Sequence, residues 1–107
     1  MIDNIKSQMR KGILEYCILL CLKDGEMYAG EILEHLKKAN LLIVEGTLYP
    51  LLSRLKNNGL LDYRWQESTE GPPRKYYTTT TEGKQLLQEL ETEWGAIKNS
   101  VETIETN

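Results

Sequence analysis

The sequence predicts a mostly α-helical chain with one small β-hairpin, and three observations carry that prediction. Several segments place apolar residues at three- and four-residue steps, the spacing of one helical face. Between them, residues 60–79 hold two short runs rich in β-branched and aromatic residues on either side of a Gly71-Pro72-Pro73 turn. The end of the chain repeats its apolar residues on a heptad, which is the signature of a helix that pairs with another helix.

A chain of 107 residues is most simply one small domain with a modest core, too small for a large enzyme cleft. It offers no paired nucleophile and base, a single histidine (His35) and no glycine-rich phosphate loop, which excludes the common enzyme classes; no cofactor is expected. No apolar run approaches the roughly 20 residues of a membrane span, and the first residues lack a signal-peptide pattern. The expectation is a cytoplasmic protein without a membrane partner. Cys17 and Cys21 sit four apart inside an apolar run, where they read as small buried hydrophobes; a zinc site would need more ligands than His35 can add, so no metal is expected.

The net charge of −3 argues at first against nucleic acid, but it is unevenly spread. Residues 1–80 carry eleven Lys and Arg against ten Asp and Glu, and residues 81–107 carry two against six. The acid therefore belongs to the tail, and a balanced front part can still present a local basic surface.

Residues 5–23 form the first predicted helix. Its second half (Ile13, Leu14, Cys17, Ile18, Leu19, Leu20, Cys21, Leu22) is apolar almost all round, and a helix with no polar face needs cover on every side, which points to a second subunit. Lys6, Arg10 and Lys11 near its start suit either a phosphate backbone or plain solvation. Asp24-Gly25-Glu26 ends it. Residues 28–39 give the next helix, with Ile32, Leu33 and Leu36 inward and Glu31, Glu34, Lys37 and Lys38 outward.

A brief connection leads into residues 44–61, the stretch on which the function turns. Leu48, Leu51, Leu52 and Leu55 share one face; Gly46, Tyr49, Pro50, Ser53 and Asn57 share the other; Gly59 stops the helix. Two short helices joined by a tight turn make a helix-turn-helix, whose second helix enters the DNA major groove. An interior proline breaks a helical hydrogen bond, so Pro50 predicts that this helix starts near Gly46 or Thr47. The hairpin of residues 60–66 and 74–79 follows as a wing, with Arg74 and Lys75 where the tip re-enters the second strand, placed for phosphates or the minor groove. Tyr76, Tyr77 and Trp65 read as strand packing.

Thr80-Thr81-Glu82-Gly83 caps and opens the last helix. Leu87, Leu90, Trp94, Ile97, Val101 and Ile104 recur at steps of three and four, an a/d seam that predicts a homodimer interface. Residues 1–79 are thus expected to form a winged helix-turn-helix DNA-binding domain, and residues 80–107 a C-terminal dimerisation helix packed with residues 5–23. Trp94 stands mid-seam: two copies across a symmetry axis either leave a flat slot for a planar aromatic ligand or simply fill the interface.

Tyr28 with Glu31-Ile32, Gly46-Thr47-Leu48-Tyr49-Pro50-Leu51-Leu52 with Arg54-Leu55, Gly59-Leu60, Arg74-Lys75-Tyr76-Tyr77 and Glu82-Gly83 together resemble the PadR family of bacterial transcriptional regulators. The resemblance covers nearly the whole chain in order. It implies a winged-helix repressor that dimerises through its first and last helices and binds double-stranded DNA at a palindromic operator. Gly46, Thr47, Tyr49 and Ser53 would then position or read, and Lys11, Tyr28, Arg54, Arg74 and Lys75 would hold phosphates. The short C-terminal helix looks like the compact branch of the family, some members of which sense multidrug-like aromatics through a tryptophan on that helix. Trp94 matches the position, with Met9, Ile13, Tyr16 and Leu90 lining the same slot. Thr79 stands where the family usually has leucine, which predicts looser packing of the second wing strand. The competing reading is a winged-helix protein-interaction module that never touches DNA, since fold alone does not decide function.

Overall fold

A computed structural model describes Met1–Asn107 as α1 (Ile2–Cys21), α2 (Ala29–Lys38), α3 (Glu45–Asn57), β1 (Leu61–Gln66), β2 (Arg74–Thr79) and α4 (Thr81–Thr106). The elements follow the predicted order. A single apolar cluster holds them: Ile18, Leu19 and Leu22 from the end of α1 meet Ile32 and Leu36 of α2, Leu48, Leu52 and Leu55 of α3, Leu61 and Tyr77 of the hairpin, and Leu87 of α4. Of these, Ile32 and Leu36 of α2 and Leu48, Leu52 and Leu55 of α3 are the residues that the periodicity placed inward.

The predicted need for a second subunit around the apolar half of α1 is corrected by this cluster. Leu14, Ile18, Leu19 and Leu22 are buried within the chain itself, Cys17 and Cys21 are half-buried, and of that run only Leu20 is exposed. α2, α3, the hairpin and the first turns of α4 supply the cover. Exposed apolar surface lies instead at the start of α1, on Ile2, Ile5 and Met9. α1 also begins earlier than predicted, at Ile2, and ends at Cys21.

α2 and α3 stop in the same way. Asn40 and Gly59 take the left-handed conformation (φ 63° and 77°) one residue beyond each C-cap. The next amide reaches back, Leu41 N–H to the Leu36 carbonyl at 2.8 Å and Leu60 N–H to the Leu55 carbonyl at 2.9 Å, while Asn40 N–H and Gly59 N–H bond the carbonyls of Lys37 and Lys56. These are paired Schellman closures, and glycine or asparagine is what the backbone angle requires there.

α3 differs from expectation at its start. Val44 is the N-cap and Glu45 the first helical residue, so Pro50 lies in the second turn rather than the first. It can donate no hydrogen bond to the Gly46 carbonyl, and that carbonyl stays on the exposed face, where water or a ligand can satisfy it.

The hairpin is antiparallel, with Leu61 opposite Thr79, Tyr63 opposite Tyr77, Arg64 opposite Tyr76 and Trp65 opposite Lys75. Met27 adds a short third rung, exchanging both backbone bonds with Tyr77 at 3.1 and 2.8 Å. Pairing persists through Thr79, which is half-buried beside the fully buried Leu61, so the missing leucine does not open the base of the wing. Just beyond, Thr80 caps α4 by accepting from Gly83 N–H at 3.0 Å. A side chain on Gly83 would lie 2.1 Å from the Leu60 carbonyl oxygen, which explains glycine at that position.

α4 divides into two parts. Leu87 is buried and Leu90 half-buried against the core, whereas Ile97, Val101 and Ile104 are exposed. No helix is long and apolar enough to cross a membrane.

Candidate nucleic-acid interface

The exposed face of α3 and the wing enclose a cleft of about 550 Å³. Its walls bring together five of the residues singled out from sequence: Tyr28 at the start of α2, Tyr49 and Ser53 on α3, and Arg74 and Lys75 on β2. They converge because the wing folds back beside α3, and because the Met27 rung holds the entry to α2 against β2. Gly46 is exposed and Thr47 half-buried in the first turn of α3, at the leading end of the same helix.

Both wing cations rest on aromatic rings, one on each face of the hairpin. The Arg74 guanidinium carbon lies 4.3 Å from the centre of the Tyr28 ring. Lys75 Nζ lies 4.5 Å from the Tyr63 ring and 5.2 Å from that of Trp65. Neither cation has a carboxylate within 4.0 Å, so their charge is uncompensated and available to phosphate. Trp65 is 60% exposed on the cleft wall, which corrects its assignment to strand packing; only Tyr77 of the three aromatics is buried there. Burial, and then the neighbouring phenols of Tyr49 and Tyr63, hold the Tyr77 hydroxyl above its ordinary pKa, so it stays a neutral donor.

Two of the predicted phosphate contacts lie elsewhere. Arg54 turns away from the cleft and pairs with Glu15 of α1, Nη2 to Oε1 at 3.4 Å, on the side of α3 that borders the groove with α1 and α4. Lys11 is exposed on α1 outside the cleft. The sequence reading missed Trp65 and Tyr63 as partners of Lys75; their cross-strand register to Lys75 and Tyr77 was the signal that could have found them.

A second, smaller groove of about 310 Å³ runs between α1, α3 and α4. Of the residues predicted to line a ligand slot it contains Tyr16 and Leu90. Met9, Ile13 and Trp94 fall outside it; Met9 is exposed, and Ile13 and Trp94 are half-buried, with Lys98 Nζ 6.0 Å from the Trp94 ring centre. Burial raises the pKa of both Cys17 and Cys21, in keeping with inert core thiols.

Residues 18–89 match the family model described as the transcriptional regulator PadR-like family. A PadR-like transcription factor from Bacteroides fragilis is 57% identical, superposing with a TM-score of 0.80 over 94% of this chain and 98% of that one. A PadR family transcriptional regulator from Eggerthella lenta is 34% identical, with a TM-score of 0.88 over 99% of this chain and 94% of that one. PadR of Bacillus subtilis, solved in complex with operator DNA, is 28% identical, with a TM-score of 0.68 over 73% of this chain and 46% of that one.

Proposed function

The chain belongs to the transcriptional regulator PadR-like family, and we propose that it is a homodimeric repressor that binds a palindromic operator through the cleft between α3 and the wing. The observation that carries the reading is the convergence of Tyr28, Tyr49, Ser53, Arg74 and Lys75 on one cleft, two of them cations without a carboxylate partner. In this reading the first turns of α3, from Gly46 and Thr47 to Tyr49 and Ser53, enter the major groove. Arg74 and Lys75 hold the flanking backbone. One short helix reads little sequence, so a second copy must present its own α3 about one helical turn of DNA (~34 Å) away. The exposed Ile97, Val101 and Ile104 of α4, with Ile2, Ile5 and Met9 of α1, supply apolar surface for that pairing. A regulator of this kind acts in the cytoplasm.

Release by a planar aromatic ligand belongs to the same proposal. Trp94 is half-buried at the boundary between the core part of α4 and its exposed part, so a two-fold pairing along α4 brings two indoles toward the axis. A ligand between them would favour a dimer whose reading helices no longer match the half-site spacing.

A gel-shift titration with the intergenic DNA upstream of the gene, repeated with a panel of planar aromatics, tests both parts. Salt-sensitive binding that weakens on Arg74→Ala with Lys75→Ala is expected; unchanged affinity and salt slope would remove the wing from the interface. For the ligand, fluorescence quenching must disappear in Trp94→Ala, which leaves Trp65 as the one indole.

A further inference from the structure

We propose that Tyr76 is a positioning residue for Arg74, acting through the ring of Tyr28; the functional consequence rests on the DNA-binding reading above. The outer face of the hairpin carries a continuous stack that the DNA-contact assignment leaves unexplained. Register places Arg64 opposite Tyr76, and the Met27–Tyr77 rung brings Glu26 and Tyr28 alongside. Arg64 is clamped by Glu26, with Nε donating to Oε2 at 2.9 Å and Nη2 donating to Oε1, and a further bond runs from Nη1 to Gln66 Oε1. The guanidinium so held lies 5.1 Å from the Tyr76 ring. Tyr76 meets Tyr28 edge to face, with centroids 5.5 Å apart and planes at 67°. Tyr28 in turn carries Arg74 at 4.3 Å.

The order of charges gives this stack a direction. Arg64 is neutralised by Glu26 at one end, and Arg74, without a carboxylate partner, stands at the other beside the cleft. The two rings between them are fixed on independent sides. Tyr28 caps α2, where its backbone N–H donates to Glu31 Oε1 at 3.2 Å. Its ring lies over Gly30, where a Cβ would come within 2.7 Å of Tyr28 Cε2. Tyr76 packs against the same ring edge to face. An arginine on a free wing samples many rotamers and loses them on binding; one stacked on a held ring has already lost them. Tyr76 therefore favours the bound geometry of Arg74 without touching the nucleic acid.

The test uses the full-length protein with Tyr76→Leu, Tyr76→Phe and Arg74→Ala, singly and with Tyr76→Leu and Arg74→Ala combined. In free protein, side-chain NMR of Arg74 reads the ring-current shift of its Cδ and Nε protons. Tyr76→Leu is expected to move these signals toward free-arginine values and Tyr76→Phe to keep them, while protected Met27 and Tyr77 amides report an intact wing. On operator DNA, Tyr76→Leu should weaken a dimer about 4- to 25-fold, the square of the ~2- to 5-fold that one surface cation–π contact represents. In the Arg74→Ala background it should have no further effect. Unshifted Arg74 signals in Tyr76→Leu overturn the proposal, and so do effects of the two substitutions that multiply. Absence of DNA binding by the unmodified protein strikes the repressor reading alone, because the NMR arm still decides whether Tyr76 positions Arg74.

Discussion

The Thr80 hydroxyl donates to the Gly59 carbonyl at 2.7 Å, and so ties the stop of α3 to the start of α4. The same oxygen accepts from Gly83 N–H, and Thr80 N–H bonds the Leu60 carbonyl at 3.1 Å. One residue thus links the end of α3, the helix proposed to read DNA, to the start of the helix proposed to pair the subunits. Thr80→Ala removes the cap and the tie together, at an expected cost of about 1–2 kcal/mol. Thermal unfolding at fixed protein concentration should show Tm lowered by roughly 4–8 °C per kcal/mol. Thr80→Ser retains the hydroxyl and should recover most of that loss.

Arg54 separates two geometries of binding. It pairs with Glu15 across the α1–α3 groove, outside the proposed cleft, and an exposed pair of this kind contributes about 0–1 kcal/mol. Arg54→Ala should therefore leave the slope of log affinity against log salt unchanged. The Arg74→Ala variant should flatten it by about one for each phosphate that is no longer neutralised.

Pro50 lies in the second turn of α3, where proline costs about 3 kcal/mol relative to alanine, partly offset by its stiffening of the unfolded chain. Pro50→Ala restores the bond from residue 50 to the Gly46 carbonyl. The variant is expected to be more stable by about 2 kcal/mol in denaturant titrations and, with the Gly46 carbonyl no longer open on the proposed interface, to bind operator DNA less well. Equal stability would show that the proline is accommodated without strain.

The Glu26–Arg64 clamp is sensitive to acid. The hydrogen bond from Arg64 holds the Glu26 carboxyl below its ordinary value of 4.5, so the clamp is complete above that value and is lost as pH falls through the lowered one. The Arg64 Nε–H chemical shift should move in that acid range as the clamp opens, and in Glu26→Gln that transition should be absent.

The inward leucines of α2 and α3 were legible because 3.6-residue periodicity reports burial directly, and the wing because its turn chemistry and β-branched runs leave few alternatives. The start of α3 was not, since Pro50 is read as a first-turn residue unless the flanking geometry is known. Nor was the stack beneath Arg74 visible. It depends on the Met27–Tyr77 rung, which joins residues fifty positions apart through a single bridge that no local pattern announces. Arg54 shows the same limit: its neighbour Glu15 comes from another helix.

The heptad of α4 reads as one seam in sequence, but its two halves serve different ends. Leu87 is 4% exposed and belongs to the core of its own chain, so it is withdrawn from the predicted dimer interface, while Ile97, Val101 and Ile104 remain open. Leu87→Ala should therefore cost about 2–5 kcal/mol of stability as a buried truncation, with the monomer–dimer equilibrium changed only through folding. Ile97→Ser with Val101→Ser should leave the fold of each chain intact and lower the sedimentation coefficient to that of a monomer. Operator affinity should fall with it, because two reading helices no longer bind as a unit. A double variant that stays dimeric in sedimentation velocity would move the subunit interface off α4 and onto the exposed start of α1.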